Sequence, residues 1–156
     1  NLKEKTLRYP GHIDKMTVLR ELGFFSNEES IEVKGLKLRP IEMTAQILFP
    51  NWKLKQGEGD ITIFQSTIEG TQDGQKMRYT INMLDEYCTN TDVNSMARTT
   101  GYTATLALRM IANGLYTAKG ISPPEYMGKY PKCIEFILEG LRDRGVVYNE
   151  KVNTVK

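Results

Sequence analysis

An α+β fold, with helices on one face of a mixed, largely antiparallel sheet, is predicted by three features of the sequence. Residues 60–69 and 76–84 are two β-rich runs joined through Asp73-Gly74, a hairpin turn signal. Residues 95–113 and 131–144 carry helical spacing with a glycine stop after each. No internal repeat or low-complexity tract breaks these elements apart, so a single domain over residues 1–156 is the expected organisation.

Taken in order, the first helix is expected from His12 to Leu22. Ile13, Met16 and Leu19 recur at helical spacing, Asp14 lies in the first turn and Gly23 supplies the stop. A polar surface turn at residues 27–30 leads to Ile31–Leu38, where alternating apolar and polar positions predict one short strand or extended segment. Pro40–Leu48 reads as a short helix that opens on proline and is closed by Pro50.

In the second run of the hairpin, Met77, Tyr79, Ile81 and Met83 fall on one face, with Arg78, Thr80 and Asn82 on the other. The first run shifts its apolar phase between Ile63 and Phe64, which predicts burial on both faces or a bulge. Gly70–Gln75 is the expected connection. The helix at 95–113 can be capped by Asn94 or Ser95, and its apolar second half predicts cover on more than one side. Residues 120–128 form a proline-rich loop, Pro131–Arg144 a last helix, and Val146–Tyr148 a last short strand.

Composition narrows the function. The 156 residues carry 21 Lys+Arg against 19 Asp+Glu, a net charge of +2, which supplies no electrostatic reason to expect nucleic acid or an anionic membrane as partner. Hydrophobic residues at 40% and charged residues at 26% are those of a globular chain, and one of this length buries about 68–70% of its unfolded surface. No run approaches the roughly 18–20 apolar residues of a membrane span, and no signal peptide opens the chain. Cys88 and Cys133 are too few and too distant for a disulfide framework, which predicts reduced thiols and a cytoplasmic setting. An ordered-looking motif directly after Asn1, with no initiating Met, leads us to expect a piece of something longer.

Catalytic signatures are absent. Gly57-Glu58-Gly59-Asp60 has Thr62 in place of a third glycine and precedes a strand, whereas a dinucleotide fingerprint follows one and opens a helix. There is no phosphate-cradling Gly-Lys-Ser/Thr loop, no metal-binding His or Cys pair, and a single His, His12, which reads as a helix-start or surface residue. No metal is expected, and the catalytic residues are unknown.

Two stretches stand out. In Thr6-Leu7-Arg8-Tyr9-Pro10-Gly11-His12 a guanidinium, an aromatic and a glycine converge on a helix start. That combination is either a carboxylate receptor, with bidentate donors beside free helix amides, or a strand-end arginine in a surface ion pair. In Ser95-Met96-Ala97-Arg98-Thr99-Thr100-Gly101 two hydroxyls and a glycine weaken an early helical turn. Gly101 there permits close approach of a ligand or merely of a neighbouring element. Asp85 and Glu86 either solvate a strand end, the favoured reading, or pair with Arg98.

Together and in this order the two stretches resemble the saccharopine dehydrogenase family, over about residues 5–146. The similarity extends through Leu19–Phe24, Arg78-Tyr79, and Gly114-Leu115-Tyr116 to Lys119–Pro124. Tyr102-Thr103 departs from the apolar residue and proline of many relatives, which leaves substrate preference open.

The resemblance implies the substrate-binding and dimerisation domain of a two-domain oxidoreductase, similar in architecture to the C-terminal domain of glyceraldehyde-3-phosphate dehydrogenase. Its own N-terminal Rossmann domain, absent from this chain, would bind NAD or NADP. The implied activity is hydride transfer at the C–N bond of an amino-acid adduct in lysine metabolism. Carried onto this chain, Arg8 would hold a substrate carboxylate, Tyr9 and Gly11 would shape that pocket, and Thr100 and Gly101 would face the same cleft, supported by Arg98 and Thr99. A homodimer is expected, paired through the sheet face that helices leave open. The alternatives are a ligand-binding or assembly module without redox activity, and a lysine 6-dehydrogenase-type relative.

Overall fold

The computed structural model describes residues 1–28 and 30–155; of the expected polar turn at 27–30, Glu29 lies outside the described residues. The fold is α+β, with two small antiparallel sheets and five helices among the described residues. The chain divides into two compact units, Asn1–Lys55 and Gln56–Lys156.

In the first unit, helix α1 (His12–Glu21) starts at Gly11, whose φ of 78° is a left-handed conformation that glycine adopts without a Cβ penalty. Strands β1 (Ile31–Val33) and β2 (Leu36–Leu38) pair antiparallel. One strand was expected here. Lys34 and Gly35, with φ of 51° and 80°, fold the segment into a tight hairpin instead.

Helix α2 (Pro40–Trp52) opens on a proline, whose missing N–H costs nothing in the first turn. The Glu42 carboxylate accepts from the Arg39 backbone N–H at 3.1 Å and from its Nε at 3.0 Å, and these bonds hold Glu42 below the usual carboxylate range. The helix also runs through Pro50, where the sequence predicts its end. In the exposed last turn only one helical bond is forfeited there, and the Asn51 amide donates to the Ile47 carbonyl at 2.7 Å. Thr44, one of two buried residues among those described in this unit, donates to the Phe24 carbonyl at 2.8 Å.

In the second unit, β3 (Ile61–Gln72), β4 (Gln75–Glu86) and β5 (Asn149–Thr154) form a sheet in the order β3-β4-β5. The strands extend further than the sequence predicts, so the hairpin turn is Asp73-Gly74 alone, with φ of 51° and 79°. The pairing runs from Ile61–Glu86 to Gln72–Gln75 without a bulge. The phase shift at Ile63 therefore has another outcome: Phe64 faces the helices beside Met83, while Ile61 and Ile63 point to the open face and stay exposed. β4 follows its predicted alternation, with Met83 and Asp85 buried and Leu84 and Glu86 exposed.

Helix α3 (Ser95–Ala112) and helix α5 (Pro131–Arg142) pack on one face of this sheet, and the proline-rich loop contains one turn, α4 (Pro124–Met127). Met83, Leu106, Leu141 and Val146 join strand to both helices, and Met110, Tyr116 and Cys133 extend the core between helices. As the sequence predicts, α3 is covered on more than one side, by the sheet and by α5, but not all round. Met96, Leu108 and Ile111 are exposed along its outer side.

The predicted strand at Val146–Tyr148 is displaced to residues 149–154. Gly145 reverses the chain at φ 82°, and the Val146 N–H donates back to the Leu141 carbonyl at 3.0 Å. Val146 is thus held as a core plug under the helix end, 1% exposed. Tight α3–α5 contact rests on Gly140, where an added Cβ would overlap the Leu106 side chain. Gly140→Ala is expected to destabilise the fold by about 1–3 kcal/mol through overpacking, read as a lower denaturant midpoint with an unchanged slope.

Candidate functional site

The start of α3 is fixed by Asp60, Thr62 and Asp85. Asp60, just before β3, sends one carboxylate oxygen to the Ser95 N–H at 2.6 Å and the other to the Met96 N–H at 2.9 Å. A carboxylate at this point satisfies two free amides and meets the positive end of the helix dipole. Of the two caps the sequence offers, Asn94 takes the N-cap position and its carbonyl accepts the first helical bond, from the Arg98 N–H at 2.9 Å. Asn94 makes no side-chain cap bond, and the fully buried Ser95 hydroxyl instead bonds Thr62 Oγ1 at 2.8 Å and the Asp85 carbonyl at 2.9 Å.

One turn further on lies an ion pair. Arg98 Nε and Nη2 reach the Asp85 carboxylate at 3.2–3.3 Å, with Arg98 8% and Asp85 4% exposed. Arg98 Nη2 also donates to the Arg144 carbonyl at 2.9 Å, and its guanidinium lies 5.7 Å from the centre of the Tyr102 ring. Arg144 lies 5.9 Å from the same ring. The Asp85 bonds raise the Arg98 pKa further above its ordinary value. The sequence favoured a solvated Asp85. Strand alternation turns it toward the helices, and at that depth a carboxylate requires a charged partner.

Around this core the predicted site residues fall into three settings. Arg98 is spent on Asp85, and Thr99 bonds back to the Ser95 carbonyl at 2.9 Å, so both side chains hold α3 in place. Thr100 and Gly101 are exposed, and nothing lies within 4 Å of a Cβ built on Gly101, so no neighbouring element in this structure requires that glycine. In the first unit, Arg8 and Tyr9 are exposed beside the entry to α1, with Arg8 Nη1 donating to the Leu7 carbonyl at 2.9 Å. Among the described residues Arg8 has no ion pair, and no side chain caps α1.

Sequence reasoning missed Asp60, Ser95 as a buried hub, and Arg144. Asp60 was hidden because it caps a helix 35 residues further along the chain. Cavities of about 270 Å³, lined by Ile63, Phe64, Asn82 and Leu84 among others, and about 400 Å³, lined by Leu115 and Tyr130, touch none of the predicted residues.

The fit of a dinucleotide or metal can be tested on these residues. Gly57–Asp60 runs into a strand, and the free amides of α3, the natural seat for a phosphate, already hold a carboxylate that would repel it. Neither Gly57–Asp60 nor the start of α3 therefore fits a nicotinamide dinucleotide. No group of three His, Cys, Asp or Glu side chains converges to hold a metal ion among the described residues.

Two expected outcomes follow from this geometry. Arg98→Ala leaves the Asp85 charge buried and unpaired and is expected to cost about 3–5 kcal/mol in chemical denaturation. Asp85→Asn leaves the Arg98 charge buried with only the Arg144 carbonyl and the Tyr102 ring as partners, and is expected to destabilise to a similar degree. Cys88 titrates below the usual thiol value of 9.0, chiefly because the Thr91 hydroxyl hydrogen-bonds it. A lowered thiol pKa means more thiolate at neutral pH, so Cys88 is expected to alkylate with iodoacetamide faster than a free cysteine. Thr91→Val is expected to slow it, and the buried Cys133 to react only on unfolding.

The model of one protein family, described as the saccharopine dehydrogenase C-terminal domain, matches residues 1–146. That span takes in both the Arg8 segment and the whole of α3. The family is associated with oxidoreductases that generally use NAD(P). With nearly its whole length matched, this chain belongs to the saccharopine dehydrogenase C-terminal domain family.

Proposed function

We propose that this domain binds the carboxylate-bearing amino-acid substrate of a saccharopine dehydrogenase-like oxidoreductase. In that enzyme NAD or NADP, bound by a separate Rossmann domain, exchanges a hydride with the C–N bond of an amino-acid adduct in lysine metabolism. The observation that carries the reading, beside the family match, is Arg8: an exposed guanidinium with no ion pair among the described residues, next to an uncapped helix start. A planar fork beside free amides binds a carboxylate in two places and discriminates against uncharged analogues.

The proposal gives the carboxylate contact to Arg8, shaped by Tyr9 and Gly11, whose lack of a Cβ leaves the backbone approachable. In the second unit, considered by itself, the Thr100 hydroxyl and the backbone at Gly101 are exposed and able to meet polar groups. Arg98 and Thr99 act behind them as positioning residues. The proposal gives the dinucleotide to the Rossmann domain, supported by the poor fit of Gly57–Asp60 and of the α3 start to it. Protomers pair as a homodimer in the cytoplasm.

The test uses the full-length enzyme with candidate adducts and each nicotinamide in turn. Arg8→Ala is expected to raise KM with a smaller change in kcat, by the about 1.5–3 kcal/mol of a charge-assisted hydrogen bond. An unchanged KM removes Arg8 from the site. No turnover with any adduct and either nicotinamide overturns the redox reading and leaves a ligand-binding module.

A further inference from the structure

The geometry points to β3 as a self-pairing edge, by which two copies of this chain join their sheets into one six-stranded sheet. The two outer strands of the sheet are protected very differently. β5 is short and carries Glu150 and Lys151, the charges that keep a free edge from pairing. β3 is twelve residues long, unbulged and free of proline and lysine, and its one charge, Glu69, is engaged by Arg78 across the hairpin at 2.6 Å. An edge of that length without protection is a template for another strand.

The register can be derived. The two-residue turn makes Gln72–Gln75 a hydrogen-bonded pair, so even-numbered residues of β3 bond β4. The N–H and C=O groups of Ile61, Ile63, Gln65, Thr67, Glu69 and Thr71 therefore face the open edge. An antiparallel partner related by a two-fold axis keeps the helix-bearing faces on the same side only if even residues meet even ones. Centring the axis on Ser66 sets Phe64 of each copy against Ile68 of the other, covering two exposed apolar side chains twice over. The same register sets Gln65 against Thr67 and Ile63 against Glu69, brings no like charges together, and completes about a dozen main-chain hydrogen bonds.

This inference deepens the homodimer of the proposed function and does not depend on its chemistry. It differs from pairing through the open sheet face, because the edge mode leaves Ile61 and Ile63 exposed. The test is made on the full chain with Cys88→Ser in place. Ser66→Cys sets two thiols directly opposite at a non-hydrogen-bonded position, where the Cα separation of about 4.5 Å suits a disulfide. It is expected to cross-link as a dimer under mild oxidation, whereas Thr71→Cys is not. Thr67→Pro deletes an outward N–H without touching the β4 ladder. It is expected to weaken self-association at least tenfold in sedimentation while the far-ultraviolet spectrum is retained. Ser66→Lys, setting two charges face to face, is expected to do the same. A wild-type chain that stays monomeric at high concentration overturns both the homodimer and this edge. A dimer that neither cross-links through position 66 nor responds to Thr67→Pro or Ser66→Lys overturns the edge alone.

Discussion

The second unit is organised around the buried contact between Asp85 and Arg98. Removing both charges from water is expensive, and the return depends on geometry, so such a pair specifies an arrangement more than it adds stability. Here the geometry is demanding. Asp85 lies near the end of β4, Arg98 on the second turn of α3, and the Arg98 fork also grips the carbonyl of Arg144, where the chain leaves α5. Only the planar, five-donor guanidinium reaches carboxylate and carbonyl together, which lysine cannot do. Strand, first helix and last helix are thereby set to one register, and the Met83–Leu106–Leu141–Val146 core closes beneath it.

Asp60 completes that constraint and removes an option. A helix N-terminus is the ordinary place for an anion, and α3 is the longest helix of the chain. Its first free amides are already bound to the Asp60 carboxylate, so a ligand carboxylate gains nothing there. What the helix still offers is its flank, where Thr100 and Gly101 are exposed. The start of α1 is built the other way: glycine at the cap, no capping side chain, and an arginine four residues before the helix. The two helix starts of similar outline in the sequence therefore have opposite electrostatic character, one neutralised by its own chain and one left open.

The legible parts of this fold are those encoded by short-range periodicity. β4 alternates cleanly, α3 and α5 end at Gly114 and Gly145, and Asp73-Gly74 dictates its turn, so each was readable from a few neighbouring residues. Failures occurred where the deciding contact was distant. β5 is polar, with Val152 its one aliphatic residue, and becomes a strand by pairing with β4 rather than by propensity. Asp60 looked like the end of a loop because its partner is a helix on the far side of the hairpin. Of the site, residue identities were readable at both stretches. The inward turn of Arg98 was not, because it follows from which face of β4 carries Asp85.

The surface gives a last physical constraint. The chain exposes 13055 Å², whereas two separate globules of the size of its units would expose only about 9,500 Å². The excess is apolar in places where water gains nothing from it: Phe49 and Trp52 on α2, Leu108 and Ile111 on α3, Ile61, Ile63 and Leu84 on the open sheet face. In the first unit Pro40 and Thr44 are buried among the described residues, and its apolar side chains are otherwise half-buried or exposed. Under the proposed function, a carboxylate contact at Arg8 is rigid only if α1 itself is held, so ligand binding there and any contact that orders α1 strengthen one another by the same factor.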